Sequence, residues 1–308
     1  MRTLPRISLR ILSYERPQYL VRCLESALDQ SESFADVEIH DNRSKFDFTP
    51  ILARFPGVKL SQPEQNMPTH QFFARAFRDP PLQPWLCVFH DDDLLKRDFC
   101  SNMARAAMTH PECGAISCGG GVIDPQENHH GSLLPSQFRE AMLQTPGQFA
   151  RWYCDSFIPF PAAVHFWSPR LSEWMEWATS YGRCTDVAFF SRIVREKPIW
   201  IRPQEDFLYR RHSGQDSSGF LWWEETQRWE LQRNMAQDEP RHFSYVEKKR
   251  RARITQRWLN AWLRDEPRPE ALTREDFSAN AFYRFWRNNK LATLRRLLRG
   301  VSVSQGKP

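Results

Sequence analysis

The first ninety residues contain four short apolar runs, and three of them stop abruptly at polar clusters. Ile7–Leu12 has period-two character and ends at Ser13-Tyr14-Glu15-Arg16; Val37–His40 ends at Asp41-Asn42-Arg43-Ser44; Trp85–Phe89 ends at His90-Asp91-Asp92-Asp93; Val58–Leu60 is a weaker fourth run. Between them lie helix-like segments. Pro17 suits a first helical position, and Leu20, Cys23, Leu24, Ala27 and Leu28 recur at helical spacing; Phe72, Phe73, Ala76 and Phe77 do the same after Asn66. Strands alternating with helices predict an α/β fold built on a mostly parallel sheet. Ligands of such sheets bind beyond the carboxyl ends of the strands, which is where the three polar clusters fall.

Beyond Asp93 the pattern predicts an amphipathic helix to about residue 110, then a glycine-containing stretch at Cys118-Gly119-Gly120-Gly121 and an irregular segment to about 148. Aromatic residues dominate 149–180. Their faces suit packing on sugar rings, although most are expected in the core. Helical patterns return at 222–238, 244–264 and 275–299, with Pro267 and Pro269 separating the last two. The expected organisation is a catalytic domain over 1–220, with halves at about 1–120 and 121–220, and a helical extension over 221–308.

Charge follows that division. The chain carries +6 overall, yet residues 241–308 hold 17 Lys/Arg against 6 Asp/Glu, or +11, which leaves −5 on residues 1–240. The two parts need separate explanations. Seven dispersed cysteines without a CxxC pair read as reduced, mostly buried thiols, and so point to a cytosolic compartment. Arg2 and Arg6 precede only ISLRIL, which Ser8 and Arg10 interrupt, and no run of 18 apolar residues occurs. A soluble or peripheral cytoplasmic protein is expected.

Asp91-Asp92-Asp93 is the strongest chemical feature. Three adjacent carboxylates at the end of a buried strand repel one another and lose solvation, so they call for a cation or for solvent. Mg²⁺ or Mn²⁺ takes such oxygens together with substrate phosphates. The alternative is an acidic turn that caps the following helix.

Taken in order, ISLRILSYERPQYLVRCLESALDQ, VEIHDNRS, NMPTHQFFARAF, WLCVFHDDDLLKRDF, CTDVAFFSRI and YRRHSGQDS resemble the segments of a family 2 glycosyltransferase with the GT-A, Rossmann-like fold over about residues 5–220. The resemblance implies a metal-dependent, inverting transfer of a sugar from a nucleotide donor to a glycan or lipid-linked acceptor, as in cell-surface polysaccharide or lipopolysaccharide synthesis. It places Ser13, Tyr14 and Arg16 near the nucleotide base and Asp41 on the carboxylate that contacts uracil, which points to UDP; dTDP offers the same ring N–H, and GDP stays open. It also places Asn66 in the loop before the second helix, with Met67 where the family has glycine.

The metal motif has two registers. In one, Asp91 and Asp93 form the Asp-x-Asp pair; in the other, aligned on Leu94, His90 takes the first position and Asp92 and Asp93 match, so all three aspartates are candidates. His90 then contacts the ribose, supports a carboxylate, or simply packs at the strand end. The resemblance implies that Asp186 is the general base that takes the acceptor's proton; Thr185 stands where the family has glutamate, and a helix-capping role for Asp186 is the alternative. Arg210, Arg211 and His212 are expected in a loop that closes over the diphosphate and offsets its charge.

The resemblance does not cover the basic tail. KKRRAR with Trp258, Leu259 and Trp262, and the aromatic, basic stretch 275–299, suit either docking on an anionic membrane through 244–299 or packing on protein. Nucleic acid has only KKRRAR in its favour, and no recognisable binding module accompanies it. Two other functions share the acidic triplet: a nucleotidyltransferase or phosphohydrolase, which would want a Gly/Lys phosphate loop that SYERP lacks, and a catalytically degenerate nucleotide-sugar-binding protein.

Overall fold

The computed structural model describes residues 3–156, 162–215, 222–264 and 272–290. Contacts divide the chain into two units, Met1–Gly219 and Phe220–Pro308.

The first unit is built on strands β1 (Ile7–Ser13), β2 (Asp36–Asp41), β3 (Lys59–Ser61), β4 (Trp85–His90), β5 (Leu94–Leu95), β6 (Ala115–Ile123), β7 (His129–Ser132), β8 (Ala141–Leu143), β9 (Val164–Phe166) and β10 (Ile199–Arg210). Helices α1 (Pro17–Leu28), α2 (Thr49–Arg54), α3 (Thr69–Arg78), α4 (Phe99–Thr109), α5 (Pro146–Ser156), α6 (Pro169–Ala178) and α7 (Thr185–Glu196) connect and cover them. The strands form one sheet in the order β3-β2-β1-β4-β9-β6-β10-β5, with β7 added on β6 and β8 on β10. Pairing is parallel within β3-β2-β1-β4 and between β6 and β10, while β9 runs antiparallel to both β4 and β6.

Register aligns the strand ends that carry the polar clusters. Ser13 pairs with Asp41 and Leu12 with His90. The loops continue the ladder: Asn42 N donates to Ser13 O at 2.9 Å and Asp91 N to Leu12 O at 3.0 Å. Beneath them the core is Ile7, Leu9, Ile11, Ile39, Cys87 and Phe89 from the sheet against Leu20, Cys23 and Leu24 of α1. All seven cysteines are free and buried, as the composition predicted.

Two expectations change, and one unassigned stretch acquires a place. Leu94-Leu95 do not begin a helix: they pair antiparallel with Leu208 and Phe207 of β10, and α4 starts only at Phe99. The glycine stretch is the buried centre of β6. A Cβ on Gly120 would lie 2.5 Å from the Phe207 ring and one on Gly119 would lie 2.7 Å from the Pro203 carbonyl, so only glycine lets β10 lie this close. The second change is β10, a twelve-residue strand in a polar segment that ends on Arg210, expected in a loop; register shifts between Arg202 and Phe207 let it carry Glu205.

The second unit contains α8 (Trp222–Ala236), α9 (Pro240–Arg264), a 3-10 turn at Arg274–Asp276 and α10 (Ala279–Asn288). Part of the basic run is internal. Arg250 is buried and donates to Glu247 at 2.7 and 3.0 Å and to Asp276 at 2.9 Å, and Arg251 donates to Phe277 O. α10 ends at Asn288, with Asn289 Nδ2 donating to Phe285 O at 3.0 Å. The expected helix over 275–299 is therefore shorter at its start, and residues 291–299 lie outside the described ones. Among the described residues no helix is long and apolar enough to cross a membrane.

Candidate functional site

The site is the edge where β1, β2, β4 and β10 end. The β1 loop turns at Glu15, whose φ of 53° is left-handed, and the β2 loop turns at Arg43, with φ of 67°. Non-glycine residues keep such φ values only where the surroundings hold them. Here the two loops hold each other: Glu15 N donates to Ser44 Oγ at 2.8 Å, and Lys45 N donates to Glu15 Oε1 at 3.0 Å.

Asp41 is buried beneath this clasp. Its carboxylate accepts from Ser44 N at 2.7 Å, Ser44 Oγ at 2.5 Å and Gln62 Nε2 at 2.8 Å, so in this chain it shapes the Asn42–Ser44 turn. Asn42 extends the same order to the next loop through a paired contact with the Met67 backbone, at 2.8 and 2.9 Å, and exposed Asn66 donates to Asn42 O at 2.8 Å. Ser13 is buried as the last residue of β1, whereas Tyr14 is 43% exposed just above it.

The aspartate triplet is divided among three sets of partners. Asp91 Oδ2 accepts from Tyr14 N at 3.2 Å. Its Oδ1 lies 3.0 Å from an Arg16 guanidinium nitrogen, an ion-pair distance, yet it is buried without an aligned hydrogen-bond donor. Asp92 Oδ2 accepts from Arg16 Nη1 at 2.5 Å and contacts His212 Nε2 at 2.9 Å. Asp93 faces the other way, its Oδ1 taking the backbone N–H of Arg210 at 2.8 Å.

Electrostatics follow this division. Burial, opposed by the Arg16 charge, pushes the Asp91 carboxyl up to about 7. Burial likewise raises Asp93 well above the usual carboxylate range, and the Asp92 charge adds to it. Burial also works against the Asp92 anion, but Arg16, His90 and His212 outweigh it and hold that carboxyl below its ordinary value.

Arg210 ends β10 rather than lying in a loop. It is 1% exposed; Nε donates to Asp92 O at 2.7 Å, Nη1 approaches the Asp124 and Pro125 carbonyls at 3.2 and 3.3 Å, and Nη2 reaches Glu127 Oε1 at 3.1 Å. Tyr19 of α1 covers the guanidinium at 4.8 Å and lies 5.2 Å from the His212 ring. Such a buried, multiply bonded cation holds the acidic turn in place. Exposed Arg211 instead lines a pocket of about 280 Å³ with Asp124, His130 and Ser132. His90 stands at the end of β4, its ring stacked 6.3 Å from Phe73.

Asp186 lies apart from these loops in sequence, in the first turn of α7, partly buried, with Oδ1 accepting from Val187 N at 2.7 Å. The turn before it, Thr179–Cys184, is kinked at Gly182, whose φ is 53°. The structure thus gathers Arg16, Asp91, Asp92 and His212, joins Asp93 and Arg210 behind them, and adds Tyr19, Gln62 and Glu127, which sequence reasoning missed. Glu127 has no local signal because its partners, Arg22 and Arg210, are far away in sequence.

The donor set bears on the metal. Among the described residues no group of three or more His, Cys, Asp or Glu side chains is arranged to hold an ion. Asp91 and Asp92 nevertheless fit one between them: a guanidinium already occupies the cation position, and a buried Asp91 oxygen has that charge beside it but no aligned hydrogen bond. Mg²⁺ commonly uses one or two carboxylates with phosphates and water.

No family model matches the chain, nor does any curated protein. Solved structures do. S. aureus TarS 1–349 matches with a TM-score of 0.59 at 12% identity over 88% of this chain and 76% of that one. The same protein in complex with UDP-GlcNAc gives 0.56 at 13% identity, covering 84% and 75%, and in complex with UDP 0.57 at 12%, covering 88% and 76%. The fold is accordingly GT-A: a mixed α/β unit whose central sheet is flanked by helices, of the type found in glycosyltransferases.

Proposed function

We propose that the chain is a nucleotide-sugar-dependent glycosyltransferase of inverting type, acting on a glycan or lipid-linked acceptor in cell-surface polysaccharide or lipopolysaccharide synthesis. The observation that carries this reading is the Arg16–Asp92–His212 constellation beside Asp91, set at the strand-end edge of a GT-A sheet where ligands of α/β folds bind. The likeness to TarS structures that hold UDP-GlcNAc and UDP supports a UDP-sugar donor.

In this reading the clasped loops at Ser13–Arg16 and Asp41–Ser44 receive the nucleoside, with exposed Tyr14 on its outer side and Asp41 ordering the turn beneath. Asp91 and Asp92 would hold Mg²⁺ or Mn²⁺, which would supply positive charge for the diphosphate. His212 and Arg211 lie on the approach to the phosphates. Arg210 and Asp93 lock the acidic turn from behind. Asp186 takes the acceptor hydroxyl's proton as the glycosidic bond forms and the nucleoside diphosphate leaves.

Asp186→Asn tests the assignment. Sugar transfer should fall by about 10² to 10⁴-fold while UDP binding stays within a factor of two or three; undiminished transfer would remove Asp186 from the mechanism.

For the second unit we read peripheral docking on an anionic membrane surface at the cytoplasmic side. On α10, Phe282 and Tyr283 are 54% and 64% exposed, and the helix carries Arg284 and Arg287 without an acidic residue, while Ala281 and Phe285 face inward. Exposed aromatics interleaved with cations suit a lipid interface.

A further inference from the structure

We propose that Arg16 is an exchangeable counter-ion: in the ligand-free protein its guanidinium fills the cation position between Asp91 and Asp92, and arrival of a divalent ion with a diphosphate displaces it onto the phosphates. The inference deepens the reading above and rests on it for the identity of the diphosphate.

The geometry supplies the reasons. The guanidinium bridges the two carboxylates, at 3.0 Å from Asp91 Oδ1 and 2.5 Å from Asp92 Oδ2. The Asp91 and Asp92 side chains are 0% and 9% exposed, whereas that of Arg16 is 26% exposed. A ligand arriving from solvent therefore meets the guanidinium before it meets either carboxylate. Two buried carboxylates left without a cation are costly, so loss of the guanidinium from between them favours entry of another cation. The part Arg16 plays in α1 is through its backbone, whose carbonyl accepts from Tyr19 N and Leu20 N at the start of that helix. Its side chain can leave without unravelling that helix.

Exchange predicts coupling. An ion alone must expel the guanidinium into water, which opposes binding. An ion that brings a diphosphate gives the displaced guanidinium a bidentate partner of the kind it favours. Metal and nucleotide should therefore each strengthen the binding of the other, by the same factor.

The test is calorimetric titration of Mn²⁺ alone, of UDP in EDTA, and of UDP with saturating Mn²⁺, into the full chain and into Arg16→Gln and Arg16→Lys. Mn²⁺ alone should bind Arg16→Gln at least tenfold more tightly than the parent chain, and Arg16→Lys, which keeps the charge, should restore the exclusion. In the parent chain Mn²⁺ and UDP should each improve the other's affinity at least tenfold, and that coupling should shrink in Arg16→Gln. If Arg16→Gln folds poorly, thermal unfolding gives the second readout: Mn²⁺ alone should raise its midpoint more than that of the parent. Equal Mn²⁺ affinity and equal Mn²⁺-induced midpoint shifts in parent and Arg16→Gln overturn the exchange. Failure of UDP to bind the parent chain with Mn²⁺ would sink the donor reading instead, while the Mn²⁺-alone comparison would still decide the role of Arg16.

Discussion

His165 should make the stability of this protein fall between pH 7 and pH 5. It lies on β9, fully buried, with its ring about 5.3–5.4 Å from those of Phe77, Phe189 and Phe190, and its Nδ1 has no hydrogen-bond partner. Burial alone holds its pKa down at about 3, against an ordinary value of 6.5. The folded state therefore keeps the ring neutral where the unfolded chain protonates it. Stability is full above pH 6.5 and drains away as pH falls toward 3. Each pK unit is worth about 1.4 kcal/mol, so the full window is about 5 kcal/mol, of which about 2 kcal/mol is lost between pH 7 and pH 5.

Asp91 contributes with the opposite sign. Its folded pKa is raised to about 7, so it stabilises the fold as pH falls through that value. The comparison must therefore be between proteins. Urea unfolding of the parent chain and of His165→Leu at pH 7 and pH 5 isolates the histidine, since the aspartate effect is common to both. The parent should lose about 2 kcal/mol more than His165→Leu over that interval. Parallel losses, equal to within about 0.5 kcal/mol, would refute the buried-neutral assignment; His165→Met serves as a second variant if leucine packs poorly among the three phenylalanines.

Other consequences follow from the site and the second unit. Arg210→Met removes the cation that ties Asp92 O, Asp124 O, Pro125 O and Glu127 together, and should cost about 3–5 kcal/mol in urea unfolding; a loss below about 1 kcal/mol would show that the guanidinium does not lock the acidic turn. The double change Phe282→Ser with Tyr283→Ser should abolish co-sedimentation with phosphatidylserine vesicles at low salt and leave the melting temperature unchanged, because both side chains face solvent. Binding that persists in this variant, or an absence of binding by the parent, would remove the membrane contact.

What the sequence revealed, and what it hid, follows from the range of the interactions. β1, α1 and β4 were legible because their patterns are local: Ile7, Leu9 and Ile11 alternate, Pro17 opens α1, and Trp85–Phe89 is an unbroken apolar run. β6 was hidden because the same small residues that mark a loop also let Phe207 pack closely against a strand. β10 was hidden because its polar residues have partners: Arg202 pairs with Asp206 at 3.1 Å and Glu205 with Lys96 at 3.3 Å. In the site, the strand-end aspartates announced themselves, yet their division did not. That Asp93 belongs to Arg210, and Asp92 to Arg16 and His212, depends on contacts spanning 76 to 120 residues. Arg210 and His212, two residues apart, thus belong to the scaffold and to the open side of the same turn.

The nucleotide released when the protein, Mn²⁺ and a panel of nucleotide sugars are incubated with a cell-envelope acceptor extract shows which bond the protein breaks. A glycosyltransferase breaks the bond between the anomeric carbon and the diphosphate, so chromatography should show nucleoside diphosphate, UDP foremost, with the sugar joined to acceptor and its anomeric configuration inverted. Nucleoside monophosphate with sugar phosphate would instead mean cleavage within the diphosphate, and would rule out glycosyl transfer.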